Sequence, residues 1–234
     1  MEKKRYHMLD FLRGICIILV VLYHAVYNLS EIFGGEYAFF RHRGMGIFRD
    51  CFVGVLIVLA GISCSLTRSN LRRGIKTLLL GLAITVVTAV FMPSQKITFG
   101  ILHFFGCAML LWAAFGRWLG RLPVFPAAVL SIALFYVTQP LYAQTAGMFD
   151  SFFFYALGCR TGHFSADYYP IIPWIFLFLA GGFLGKLFRE GRVPAIFEKN
   201  PLPPIAWLGR HTMPIYIVHQ PLIYGVMYLI FELF

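Results

Sequence analysis

The chain has 234 residues, 59% hydrophobic, 18% aromatic and only 13% charged, with a formal net charge of +10 at pH 7. Soluble domains carry roughly 25% charged residues, so a water-soluble domain is excluded and an integral membrane protein is expected. The positive charge then reads as the lysine and arginine excess of cytoplasmic loops, not as a nucleic-acid footprint.

Apolar runs predict an all-α bundle of about seven transmembrane helices, at residues 9–29, 48–67, 74–92, 99–118, 122–138, 171–189 and 212–234. Each is close to the ~17–25 residues that cross a bilayer with some tilt. The first, opening LDFLRGICIILVVLYHAVYN, carries Asp10, Arg13 and His24. These charges interrupt any signal-peptide core, and no small-residue cleavage site follows. At ~100° per residue, Tyr6, Asp10, Arg13, His24 and Asn28 fall within a ~60° stripe. Ionisable groups in a span face a bundle interior or a wet cavity, so this helix lines something.

Gly54 and Gly61 in the second span read as close-packing points, and the turn RSNLRR (68–73) brings Arg68, Arg72 and Arg73 together. The fourth span holds His103. The run SFFFYALG (151–158) is too short to cross, and 139–170 is expected on the outer surface. Gly181, Gly182 and Gly185 read as further packing points in the sixth span. A charged, proline-rich loop, EGRVPAIFEKNPLPP (190–204), precedes the last span, where Pro214 and Pro221 should bend the helix and free the carbonyl of Ile217. Five cysteines without CxxC spacing read as buried apolar residues, not a disulfide or zinc framework. With short linkers and no repeat, 1–234 reads as one domain.

Charge orients the chain. A cytoplasmic N-terminus places fifteen Lys and Arg inside, Lys3 and Lys4 among them, and five outside: Arg41, Arg43, Arg49, Lys96 and Arg160. An eighth span at 151–158 would move the basic cluster 186–210 outside. Asp10, Arg13, Arg68 to Arg73, Arg210 and His211 then gather on the inner half. His24, His42, Asp50, His103, Asp150, Arg160, His163 and Asp167 gather on the outer half, and His219 lies ~10 Å into the last span. The arginines could simply set topology, Asp10 and Arg13 at i, i+3 could simply pair, and a histidine in a span can merely bridge helices. Histidines on three different spans, His24, His103 and His219, favour a site.

Five blocks carry a resemblance: LDFLRGICIILVVLYH (9–24), FVGVLIVLAGIS (52–63), FGILHFFGCAMLL (99–111), SADYYPIIPW (165–174) and LGRHTMPIYIVHQPLI (208–223). In order and over nearly the whole chain, they resemble short bacterial members of the heparan-α-glucosaminide N-acetyltransferase catalytic-domain family. More broadly they are similar to transmembrane acyltransferases of cell-surface glycans, whose DxLRG…H pattern is matched by Asp10, Leu12, Arg13, Gly14 and His24. The Arg-rich turn after their second span is matched by Arg68 and Arg72. The resemblance implies transfer of an acyl group from acetyl-CoA, as co-substrate and without a metal, to a sugar-like or lipid-linked acceptor across a bacterial cytoplasmic membrane. The lysosomal relative places its active histidine in a run similar to AFFRH, ending here at His42; the glycan acyltransferases use the first-span histidine, here His24. The chain lacks the large luminal extension of the lysosomal enzyme, which points to an acceptor smaller than heparan.

Acyl transfer needs a base or an acyl carrier, and imidazole can be either. The expected catalytic residues are His24, then His42, with His103 assisting. Asp10, Arg13, Arg68, Arg72, Arg73 and His219 are expected to hold the donor, with arginines on the CoA phosphates. Asn28, Asp50, Arg160 and Asp167 are expected to contact the acceptor. Asp10 and His24 stand ~21 Å apart along one helix, so Asp10 orients an arginine, and His24 takes Asn28, Asp50 or a residue of another helix as partner; Gln220 beside His219 lines the site or is structural. Membrane lipids and a second copy of the chain are possible partners. The rival readings are a transporter or flippase, which would also need intramembrane charge, and a silent subunit binding a polar headgroup.

Overall fold

The computed structural model describes residues 5–34, 37, 39, 40 and 42–231. Lys3, Lys4 and Arg41, and with Ala38 part of the AFFRH run, lie outside these described residues. The fold is all-helical, with no strand among the described residues. The helices are α1 (His7–Tyr27), α2 (Arg43–Leu66), α3 (Asn70–Phe91), α4 (Ile101–Leu119), α5 (Val124–Thr138), α6 (Leu141–Gln144), α7 (Phe152–Leu157), α8 (Ile171–Arg189), α9 (Pro203–Arg210) and α10 (Thr212–Phe231). Seven of these segments are long and apolar enough to span a membrane, each coinciding with an apolar run of the sequence. The six-residue α7 is too short to cross.

The chain groups into two compact units, Met1–Leu56 with Val193–Phe234, and Ile57–Arg192. In the first, α1 packs along α9 and α10. The α1–α9 contact is close because both helices present glycine: a Cβ on Gly14 would strike the backbone of Ile205, and one on Gly209 would strike the Asp10 carbonyl. Gly209→Ala should therefore cost ~2–3 kcal/mol by overpacking, a fall in melting temperature of ~5–10 °C. Gly225→Ala, with nothing within 4 Å of the added carbon, should leave the melt unchanged.

In the second unit α3 pairs with α4, and α5 and α4 pack on α8. The end of α2 lies against α8 through Gly61 and Gly181, where added Cβ atoms would meet the carbonyls of Phe178 and Val58. Trp112 sits edge-on to Phe178 and Phe183, beside a cluster of Ala127, Ala128 and Phe183. The segment from 139 to 170 is held to the start of α4. Ser165 Oγ accepts from the Thr98 amide at 3.1 Å, and Asp167 Oδ2 accepts from the Ile101 amide at 3.0 Å. Tyr155 and Tyr168 stack with centroids 4.4 Å apart. Burial pushes both hydroxyls upward, Tyr155 to about 12, so both remain neutral at physiological pH.

Candidate active site

In the first unit, one end of the polar stripe of α1 meets α10. The last turns of α1 widen into a π-helical turn, Asn28–Ile32, a local distortion frequent at functional sites. It buries Asn28 to 1% exposure. Asn28 donates from Nδ2 to Gln220 Oε1 at 3.1 Å, and Gln220 Nε2 donates to His24 Nδ1 at 3.2 Å. The ring of His219, also buried, lies 4.9 Å from that of His24, centroid to centroid. His219 Nδ1 donates to the Tyr216 carbonyl at 2.6 Å. α10 runs unbroken through Pro221, whose missing N–H deprives the Ile217 carbonyl of its helical donor. Two polar atoms of this cluster, His219 Nε2 and Asn28 Oδ1, are buried without a hydrogen-bond partner among the described residues. Tyr23 and Tyr27 complete the wall, with ring centroids 5.8 and 6.5 Å from that of His24.

The other end of the stripe is an ion-pair hub. Asp10 receives Arg13 at 2.9 Å on one carboxylate oxygen and Arg5 at 2.9 and 3.0 Å on the other. Asp10 thus orients arginines, as its distance from His24 along the helix requires. Asp50 is paired with Arg49 at 2.8 Å. His42 is exposed and accepts the Gly44 amide at Nδ1, 3.1 Å away.

In the second unit, a cavity of about 500 Å³ opens at the end of the helices where α2 finishes and α3 begins. Arg68, Arg117, Lys186 and Arg189 line it, and no carboxylate does. Lys186 reaches the Gly120 carbonyl at 3.3 Å. Among the described residues, Arg68, Arg117 and Arg189 make no ion pair. Asn70 is fixed by donating to the carbonyls of Cys64 and Thr67, and its Oδ1 is buried without a partner among the described residues. Four cations line this one cavity, a donor set suited to phosphate oxygens. Arg72 and Arg73 stand on the first turn of α3 outside this lining.

His103, the third expected catalytic histidine, already has both ring nitrogens engaged. Nδ1 accepts the Gly100 amide at 3.2 Å, so Nε2 donates to Thr85 Oγ1 at 3.1 Å, which ties α4 to α3. Asp167 caps α4, as described above. Arg160 and Asp150 line a shallow cleft of about 500 Å³ in the 139–170 segment. The sequence assigned Arg68 to the donor but left Arg117, Lys186 and Arg189 only among the fifteen basic residues on the cytoplasmic side. The available signal was their common place at the ends of spans on one side.

A model of the family described as Heparan-alpha-glucosaminide N-acetyltransferase, catalytic, matches residues 5–221, which include every residue of both clusters. No curated protein and no solved structure matches the chain.

Proposed function

The chain belongs to the heparan-alpha-glucosaminide N-acetyltransferase catalytic family, a family of membrane acetyltransferases, and on that premise we propose that it moves an acetyl group from acetyl-CoA to a hydroxyl or amine of a sugar-like acceptor. The donor enters from the cytoplasmic side, and the acceptor is met nearer the outer side. The observation that carries this reading is His24. It is an imidazole within a span, held by an amide chain from Gln220 and Asn28, beside a second imidazole and two buried acceptor atoms that lack donors. A helix-bridging histidine would be expected to satisfy its neighbours; this cluster leaves hydrogen-bonding capacity open, as a substrate site does.

The donor's phosphates fit the basic cavity. Arg68, Arg117 and Arg189 supply guanidinium donors, and Lys186 a point charge. The residues expected to hold the donor thus divide: Arg68 faces this cavity, and Asp10 with Arg13 stabilises α1. His42, exposed beside the start of α2, is the second candidate for the reacting histidine.

The test is free-thiol release from acetyl-CoA by the purified protein, with and without a panel of amino sugars. Acceptor-stimulated release is the expected result. No release, together with no acetyl-CoA-dependent thermal shift, would overturn the reading in favour of a transporter.

A further inference from the structure

Hydrogen bonding assigns opposite tautomers to the two imidazoles beside Gln220. A primary amide nitrogen can only donate, so Gln220 Nε2 makes His24 Nδ1 an acceptor; in the neutral ring the proton then sits on Nε2. A carbonyl can only accept, so Tyr216 makes His219 Nδ1 the protonated nitrogen and leaves a lone pair on Nε2. That lone pair is buried and has no partner among the described residues, on a residue 5% exposed. A buried acceptor without a donor calls for an explanation, and a hydrogen-bonding substrate supplies one.

We propose that His219 is the general base of the reaction, that His24 is its electrostatic partner, and that Gln220 is the positioning residue that keeps their tautomers complementary. This assignment rests on the acyltransferase reading and deepens it. The acceptor's amine gives its N–H to His219 Nε2. Its nitrogen bonds to the thioester carbonyl carbon as the carbon–sulfur bond breaks. The charge developing on the carbonyl oxygen is met by the His24 Nε2–H. The proton taken by His219 passes to the departing thiolate, so amine and acetyl thioester become amide and free thiol. Asn28 Oδ1, the second unpartnered acceptor, can receive the other N–H of the amine. Neither histidine needs to carry the acetyl group.

Reversing both amides would preserve the two hydrogen bonds of the Asn28–Gln220–His24 chain. It would also move the His24 proton to Nδ1 and make His24 the base. The two arrangements are therefore distinguishable by where the protons sit.

The experiment pairs kinetics with spectroscopy on the full chain in lipid nanodiscs. With acetyl-CoA and glucosamine, His219→Gln should lower kcat by ~100-fold or more, with the KM for acetyl-CoA within about threefold of wild type. Hydroxylamine, a nucleophile that depends little on a base, should be acetylated by His219→Gln at close to the wild-type rate. A merely structural role would depress both acceptors alike. Nitrogen-15 NMR of labelled histidine should show His24 protonated at Nε2 and His219 at Nδ1, and Gln220→Glu should shift the His24 proton to Nδ1.

A wild-type protein that releases thiol while His219→Gln remains fully active would overturn this assignment and leave the acyltransferase reading standing. So would equal loss with both acceptors, or a His24 proton found on Nδ1 in the wild type, a readout that stands even if His219→Gln fails to fold. A wild-type chain inert with every acceptor would overturn the acyltransferase reading itself, and these roles with it.

Discussion

Replacing His24 by alanine is expected to lower acceptor-dependent thiol release from acetyl-CoA by ~10²–10³-fold, the range for loss of a donor that stabilises the developing oxyanion. The structural cost should be small by comparison. The substitution removes one hydrogen bond, that from Gln220 Nε2, worth ~1 kcal/mol net, and Gln220 still accepts from Asn28. The protein should therefore fold, keep its acetyl-CoA affinity and lose turnover. His42→Ala is the informative companion. His42 is exposed and holds only the Gly44 amide, so its removal should leave most of the rate. Initial rates of the two variants, measured beside their thermal melts, separate the candidates. An inactive His42→Ala with an active His24→Ala would move the chemistry to the segment before α2.

The second large effect concerns the donor. Converting Arg68, Arg117 and Arg189 together to glutamine removes three of the four cations lining the basic cavity. These side chains are exposed, so each contact is taken at ~1 kcal/mol. Three together, ~3 kcal/mol, predict a rise in KM for acetyl-CoA of ~150-fold with kcat little changed, the signature of uniform binding energy. Lys186 is left in place because it also reaches the Gly120 carbonyl. A phosphate-free donor, S-acetyl-N-acetylcysteamine, should be used equally well by wild type and variant. The wild-type KM for acetyl-CoA should also rise with salt, since exposed charge interactions are screened. An unchanged KM in the triple variant would assign these cations to topology alone.

How much of this was legible in the chain differs by residue. The seven spans were, because each apolar run is long enough to cross and sharply bounded. The polar stripe of α1 was legible too, because helical periodicity alone puts Asp10, His24 and Asn28 on one face. Its division into an ion-pair hub at Asp10 and a hydrogen-bonded chain at His24 was half legible: the helical rise separates the two groups, but the partner of His24 is Gln220, 196 residues away. No local pattern encodes that pairing; it depends on how α10 lies against α1. The same limit hid the convergence of Arg117, Lys186 and Arg189 on the cavity of Arg68. Each is an ordinary basic residue near a span end, and only packing brings them to one cavity. His103 shows the converse. An intramembrane histidine looks reactive in sequence, yet here the α4 cap and Thr85 occupy both of its nitrogens. Gly14 and Gly209 were silent because close approach of two helices is a property of the pair, not of either segment.

Acetyl transfer across a sealed bilayer tests the proposed activity at its centre. Proteoliposomes would carry carbon-14 acetyl-CoA on one side and glucosamine on the other, with product identified by mass and label. The expected product is N-acetylglucosamine labelled in its acetyl group, formed only when donor and acceptor are on opposite sides and abolished by His24→Ala. Labelled acetyl-CoA that stays intact while wild-type protein moves glucosamine unchanged across the bilayer would contradict it.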